Sequence, residues 1–232
     1  MHIEVADRRE FKARMNDALD FDKRRAVVLT VDLQREYLDA SVGQAVVEPA
    51  EAERVLEANH RLLDACRAEQ IPVVHTYVVR PAHELAADFH AGGLAYLRVG
   101  DEAGISQAPH RAARTRPDRP AGSPESEVPA RLLADSDIHI TDKKSLDSFA
   151  HTELEFLLAR VLRPRFVILT GINTDTCVHA TTFAAANRGY APIVVRDCVA
   201  SMRGTDSHEM ALELMSRSIA WVLDLDELLD RF

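Results

Sequence analysis

The sequence predicts an α/β protein with a three-layer, Rossmann-like fold: a six-stranded, mostly parallel sheet carrying helices on both faces. Two observations predict it. Short apolar runs rich in β-branched residues alternate with stretches of helical periodicity. The runs are apolar on both faces, as strands covered on two sides must be.

Taken in order, residues 1–22 read as a helical extension outside the core, and AVVLTV at 26–31 is the first strand. The segment PAEAERVLEANHRLLDAC then opens with Pro49, a residue suited to a first helical turn. It sets Val55, Leu56, Leu62, Leu63 and Cys66 on one face, a helix that covers a sheet. PVVHTYVV at 72–79 is the second strand. From 82 to about 130 the periodicity disappears, and TRPDRPAGSPESEVP within it is rich in Pro. So long a stretch inside a compact domain is usually a functional or interface loop. DIHI at 137–140 is the third strand, after which Thr152 and Glu155 have capping-box spacing ahead of Phe156, Leu157, Val161 and Leu162. FVILT at 166–170, APIVVR at 191–196 and IAWVL at 219–223 complete the sheet. Helices are expected after Asp175 and Asp206, with a last short one in DELLDRF. No shift of composition divides residues 1–232, so a single domain is expected, and no internal repeat is present.

The net charge of −9 argues against a nucleic-acid surface, which needs clustered Lys and Arg. No apolar run has the length of a membrane helix, and MHIEVADRREFKARM contains no signal-peptide core, so a cytoplasmic location is expected. Three cysteines, Cys66, Cys177 and Cys198, are an odd number at wide spacing, which supports neither a disulfide framework nor a zinc pattern.

Open parallel sheets bind ligands beyond the carboxyl ends of their strands, where strand order reverses. Three reactive residue types follow strands here: Asp32 after the first, Lys143 and Lys144 after the third, and Cys177 after the fourth. Each has a plain structural account. An Asp after a strand is often a cap or turn residue, paired lysines are often a solvated loop, and a free Cys is often small buried filling. Together they form a coherent chemistry. A helix N-terminus beside the cation of Lys143 would lower the Cys177 thiol below the free value of about 8.5 and make a thiolate. Asp32 would take the thiol proton and return it to a leaving amine, and backbone amides of the bend before the helix would hold an oxyanion. Cys66, on the apolar face of its helix, and Cys198, without a polar bend beside it, are assigned structural roles.

At these residues the sequence resembles the isochorismatase-like cysteine hydrolases, a family that includes nicotinamidases, N-carbamoylsarcosine amidases, ureidoacrylate amidohydrolases and biuret hydrolases. The resemblance spans about residues 24 to 224. It is carried by GINTDTCVHATTFAAANRGY, similar to the family's nucleophile segment, by VDLQREYLD, and by KKSLDSFAHTEL, where counting back from Phe149 makes Lys143 the matching lysine. The resemblance implies a triad of Asp32, Lys143 and Cys177, a cis peptide before Asn173, and an oxyanion hole formed by the amides of Asn173 and Cys177. Relatives that cleave an enol ether typically lack this Cys, so its presence favours an amide or carbamoyl carbon. Nicotinamidases carry an Asp-Trp-His pattern and a further His that bind a metal. HTYVVRPAH keeps His75 and His83 without the Asp, so no required metal and no cofactor are expected. Phe183 and Ala184 stand where relatives often have Arg and Asp, which would turn an apolar helix toward a subunit interface. A homodimer or homotetramer is expected, with no nucleic-acid or membrane partner.

Gln34, Arg35, Tyr37 and Arg80 follow the first two strands and are the candidate substrate-binding residues. Arg35 or Arg80 would pair with a substrate carboxylate; equally, each would be a surface charge or a bridge to Glu36 or Asp39. The expected activity is hydrolysis of the C–N bond of a small linear amide or ureide through an acyl-enzyme on Cys177, releasing ammonia or an amine. Two alternatives stay open: an ether or ester hydrolase of the same fold, and a non-catalytic binding protein.

Overall fold

The first strand, β1 (Ala26–Val31), is buried along its whole length. Around it the computed structural model, which describes residues 5–86 and 94–232, assembles a six-stranded sheet. The other strands are β2 (Val73–Thr76), β3 (Ile138–Ile140), β4 (Phe166–Ile172), β5 (Ala191–Ala200) and β6 (Trp221–Leu223). Their order is β3-β2-β1-β4-β5-β6, and every ladder in the sheet is parallel. All six predicted strands are found, β1 at its predicted bounds and the other five with shifted ends. β2 stops at Thr76, because Val78 and Arg80 leave the ladder for single bridges to Asp142 and Pro120. β4 runs on through Gly171 and Ile172, and β5 continues to Ala200 beside it, past a register shift between Leu169 and Gly171.

The helices are α1 (Arg9–Asp17), α2 (Arg35–Leu38), α3 (Pro49–Ala68), α4 (Ala82–Ala86), α5 (Ala95–Glu102), α6 (Leu154–Phe156), α7 (His179–Asn187), α8 (Thr205–Ser218) and α9 (Leu225–Leu229). Successive residues of β1 feed opposite layers. Val28 joins a core with Val55, Leu62, Leu63 and Cys66 of α3, whereas Val27, Leu29 and Val31 join one with Leu158, Val178 and Met215. Each such side chain contributes roughly 1.5–3 kcal/mol when fully buried. Both faces of the sheet are therefore sealed, and what remains open is its ends.

Three expectations change. The N-terminal extension divides: α1 buries no residue and lies against β6, with Asn16 donating to the Val222 carbonyl at 3.2 Å, but the chain beyond it enters the core, burying Leu19 and setting Phe21 at a tilt against Phe166. Thr152 accepts the Leu154 amide at 3.2 Å, but Glu155 pairs with Arg188 instead of completing the box. The buried residues there are Leu154 and Leu158, while Phe156 and Val161 face outward, because the helix widens into a π-helical turn at Leu157–Leu162. A complete capping box occurs at α9, between Asp224 and Glu227. Finally, the stretch from 82 to 130 contains α4 and α5, and between them residues 87–93 of that expected loop lie outside the described residues, as do residues 1–4 of the extension.

One glycine is demanded by the sheet itself. Gly171 has φ +118° and pairs with Val31, where an added Cβ would stand 1.9 Å from the Val31 carbonyl oxygen. Gly104 also has positive φ, at +67°, yet a Cβ there would meet nothing within 4 Å. Gly104→Ala is therefore expected to cost about 1–2 kcal/mol through backbone conformation alone. Gly171→Ala is expected to cost more, about 4 kcal/mol or above, because β1 and β4 must also part. Thermal melting of the two variants side by side checks the difference.

Candidate active site

The chain leaves β1 for α3 on one face of the sheet and leaves β4 for α7 on the other, so the strand order reverses between these two neighbours. Such a reversal opens a crevice at the carboxyl ends of the strands. Asp32, Lys143 and Cys177 meet there.

Asp32 follows directly on β1 with φ +52°, a conformation that few non-glycine residues adopt. Its amide donates to the Thr76 carbonyl at 2.8 Å and its own carbonyl accepts the Gln34 amide at 2.7 Å, which fixes the bend. Lys143 is buried and donates from Nζ to Asp32 Oδ2 at 2.8 Å, with Cys177 Sγ at 3.4 Å on its other side. The loop that carries it is braced by hydroxyls: Thr76 Oγ1 lies 3.0 Å from Ser148 Oγ, and Thr181 Oγ1 of α7 accepts the Ser148 amide at 3.1 Å. Lys144 points elsewhere, pairing with Glu84 at 2.5 Å. Counting back from Phe149 thus picks out the lysine that reaches Asp32 and Cys177.

Cys177 sits in a π-helical turn, Thr174–Val178, ahead of α7. The Ile172–Asn173 peptide is cis, as the resemblance implied. The turn is tied down at both ends. Asn173 accepts the amides of Thr176 and Val178 on its carbonyl, and its side-chain Oδ1 accepts the Met202 amide at 2.8 Å. Thr174 Oγ1 lies 2.8 Å from His208 Nδ1, while Asp175 accepts from Ser201 and Arg203. Arg203 also donates to Gln107 at 2.7 Å, latching the long loop to the turn.

The electrostatics differ from expectation in one respect. Burial pushes the Cys177 thiol up to about 11, and the pull of Lys143 in the other direction does not overcome it. The resting thiol is therefore protonated rather than a preformed thiolate. Burial also works against the ammonium of Lys143, but Asp32 and Cys177 beside it outweigh that and raise its pKa. Asp32 Oδ1 is buried without a hydrogen-bond partner among the described residues. It is thus an open acceptor next to a protonated thiol, and the arrangement can move that proton as sulfur attacks.

The predicted substrate-binding residues divide. Tyr37 and Arg80 line a cavity of about 60 Å³ together with Asp32, Lys143, Asn173 and Cys177. Gln34 does not line that cavity: its amide nitrogen donates to the Val78 and Ser126 carbonyls at 2.8 Å each, and its oxygen accepts from Arg119 at 3.0 Å. Arg35 faces away, bridging Asp39 and Glu127 at 2.9 Å each, the surface role that was its alternative. Arg80 is held by Asp118 at 3.2 Å and lies 3.6 Å from Glu84. Arg119 and Asp118, which also shape this end of the sheet, carried no signal in the sequence. They fall in RPDRPAG, a charged and Pro-rich run without periodicity, and only folding brings it onto β1. The cavity shares Tyr37, Arg80, Leu97, Arg119 and Met202 with a larger cleft of about 410 Å³.

His75 has partners on both nitrogens, Thr30 Oγ1 at 2.7 Å and Asp137 Oδ2 at 3.2 Å, and burial lowers its pKa to about 4. His83 is exposed on α4. Among the described residues no group of three or more His, Cys, Asp and Glu could hold a metal ion. No described helix is long and apolar enough to cross a membrane. Of the two apolar positions on α7, Phe183 is half exposed and Ala184 is buried.

The isochorismatase domain family model matches residues 26–227. Among solved structures, a cysteine hydrolase from Pseudomonas syringae pv. phaseolicola is 20% identical, with a TM-score of 0.74 over 92% of this chain and 94% of its own. A nicotinamidase/pyrazinamidase from Bacillus subtilis is 22% identical, with a TM-score of 0.68 over 86% of this chain and 100% of its own. An N-carbamoylsarcosine amidase from Thermoplasma acidophilum is 21% identical, with a TM-score of 0.62 over 87% and 97%. At these identities the structures establish a shared fold.

The three thiols are expected to behave differently. Burial pushes Cys66 up to about 12 and Cys198 well above its ordinary value, and neither opens on the cavity. In the folded protein iodoacetamide should label Cys177 alone, at a rate that keeps rising with pH toward about 11. Cys66 and Cys198 should label only after denaturation. Peptide mapping of the labelled protein at several pH values checks both statements.

Proposed function

Since the chain belongs to the isochorismatase family, we propose that it is a cysteine hydrolase cleaving the C–N bond of a small linear amide or ureide through an acyl-enzyme on Cys177. One observation carries this reading: Lys143 lies between the Asp32 carboxylate and the Cys177 thiol in a small cavity at the end of the sheet. A lone buried lysine would shed its proton, and a lone buried thiol would be inert; side by side with a carboxylate they form a proton-transfer unit.

Sulfur attacks the carbonyl carbon of the substrate as the thiol proton passes to Asp32 Oδ1. The carbonyl oxygen takes up negative charge, which the amides of Asn173 and Cys177 stabilise. Collapse breaks the C–N bond, and Asp32 returns its proton to the departing nitrogen, releasing ammonia or an amine. Water then gives a proton to Asp32 and attacks the acyl carbon, sulfur leaves, and the proton returns to it. Lys143 stays charged throughout, offsetting the negative charge as it moves from carboxylate to oxyanion. No metal or cofactor enters these steps.

The small cavity supports a compact reacting group. So do two structures of the same fold, a nicotinamidase and an N-carbamoylsarcosine amidase, whose names both describe C–N hydrolysis. The test is ammonia release from a panel containing biuret, carbamoyl amino acids, ureidoacrylate and nicotinamide. Release by the wild type should fall at least about 100-fold in each of Asp32→Asn, Lys143→Ala and Cys177→Ser, with melting temperatures showing folded variants. Activity retained by Cys177→Ser would remove the acyl-enzyme. Silence of the wild type across the panel would turn the search to ether or ester substrates or to a binding role.

A further inference from the structure

The long segment between β2 and β3 reaches back over the site through charges rather than apolar packing. Arg114 pairs with the buried Glu36 of α2 at 2.7 Å, and Asp118 accepts from Arg119 through both oxygens at 2.8 and 3.0 Å. Arg119 is held from further directions as well. Its Nη1 donates to Gln34 at 3.0 Å, its guanidinium lies over the Tyr37 ring at 5.2 Å, and its backbone has φ +47°. A side chain fixed by a bidentate carboxylate, an amide and a ring has little freedom left.

What that placement achieves is seen at Asp32. Lys143 occupies Oδ2 at 2.8 Å, while Arg119 Nη1 stands 3.9 Å from Oδ1. The distance is too long for a hydrogen bond, so the lone pairs of Oδ1 stay available, yet short enough for a strong charge interaction in a buried setting. The groups closest to Asp32 are then Lys143 from the loop after β3, Cys177 from the turn after β4, Tyr37 from α2, and Arg119 from the long segment, with Asp118 behind it; Arg80, Lys144 and Arg203 also line the cavity but pair with Asp118, Glu84 and Asp175.

We propose that Arg119 is a positioning residue for the reacting centre: it supplies the second cation and, by standing off Oδ1 rather than bonding it, leaves that oxygen as the acceptor of the thiol proton. This rests on the reading that Cys177 yields its proton to Asp32. With Lys143 it makes two fixed positive charges around one carboxylate and one thiol. When sulfur loses its proton, the negative charge that forms meets both cations rather than one.

The experiment reads the thiol directly, so it needs no substrate and remains decisive if the amide panel releases nothing. Labelling of Cys177 by iodoacetamide is timed at fixed pH in the wild type, Arg119→Gln, Arg119→Met and Arg119→Lys, with Cys177→Ser as the blank. Removing the charge should slow labelling about tenfold in the Gln and Met variants, the equivalent of one pKa unit. Arg119→Lys should stay within about threefold of the wild type, since it keeps the charge while losing the fork. A merely structural role has the opposite sign: loosening the segment would expose Cys177 and speed its labelling toward that of a free thiol. Faster or unchanged labelling in whichever of the Gln and Met variants folds, or a Lys variant as slow as they are, would overturn the proposal.

Discussion

The buried pair of Asp32 and Lys143 is the constraint around which the rest of the molecule is arranged. Two full charges taken out of water repay their desolvation only when the geometry is tight, and removing one partner alone typically costs about 3–5 kcal/mol. Each charge is accordingly positioned by backbone and hydroxyl contacts. Asp32 is fixed by the amide and carbonyl contacts of a left-handed bend. Lys143 is fixed by a loop that Thr76, Ser148 and Thr181 tie to β2 and α7. The thiol adds no charge at rest. The centre is thus an ion pair beside a neutral thiol, and in the proposed mechanism charge moves only when a substrate provides somewhere for it to go.

This arrangement reassigns the role of burial. An exposed thiol next to a helix N-terminus and a lysine would be acidic, and the sequence led to that expectation. Buried at the end of the sheet, the thiol is pushed up by desolvation instead. The consequence is selectivity as well as activation. On the proposed mechanism, a protonated sulfur in a small cavity would be engaged when a carbonyl reaches it beside Asp32.

How much was legible in the sequence followed from how local each signal was. The strands were visible because AVVLTV and FVILT are apolar at every position but one threonine each, and the three reactive residues because each lies just past such a run. The ends of β2 and β5 were not, since they depend on which neighbour a strand still has to pair with. Gln34 looked like a substrate contact because it follows Asp32 by two residues. In the folded chain it spends its hydrogen-bonding capacity on Val78, Ser126 and Arg119. Arg119 and Asp118 were invisible for the converse reason: their neighbours in sequence are prolines and charges, and their neighbours in space come from β1 and α2. Isolated helical periodicity also misled at Phe156 and Val161, where a π-helical turn changed the face that points inward.

The turn that carries Cys177 is itself of the wide kind, Thr174–Val178, and it runs without a break into α7. A π-turn differs from an α-turn by one residue, and one residue in a helix is about 100° of rotation. The phase of α7 relative to the thiol is therefore written in the length of this turn. Losing a residue there would swing Thr181 and Ala185 away from the sheet side, or carry the sulfur out of the cavity, whatever the residue types were. By that geometry an exchange of side chains in the segment disturbs the site less than a gap, and a deletion between Asn173 and His179 would take the thiol away from Asp32 and Lys143.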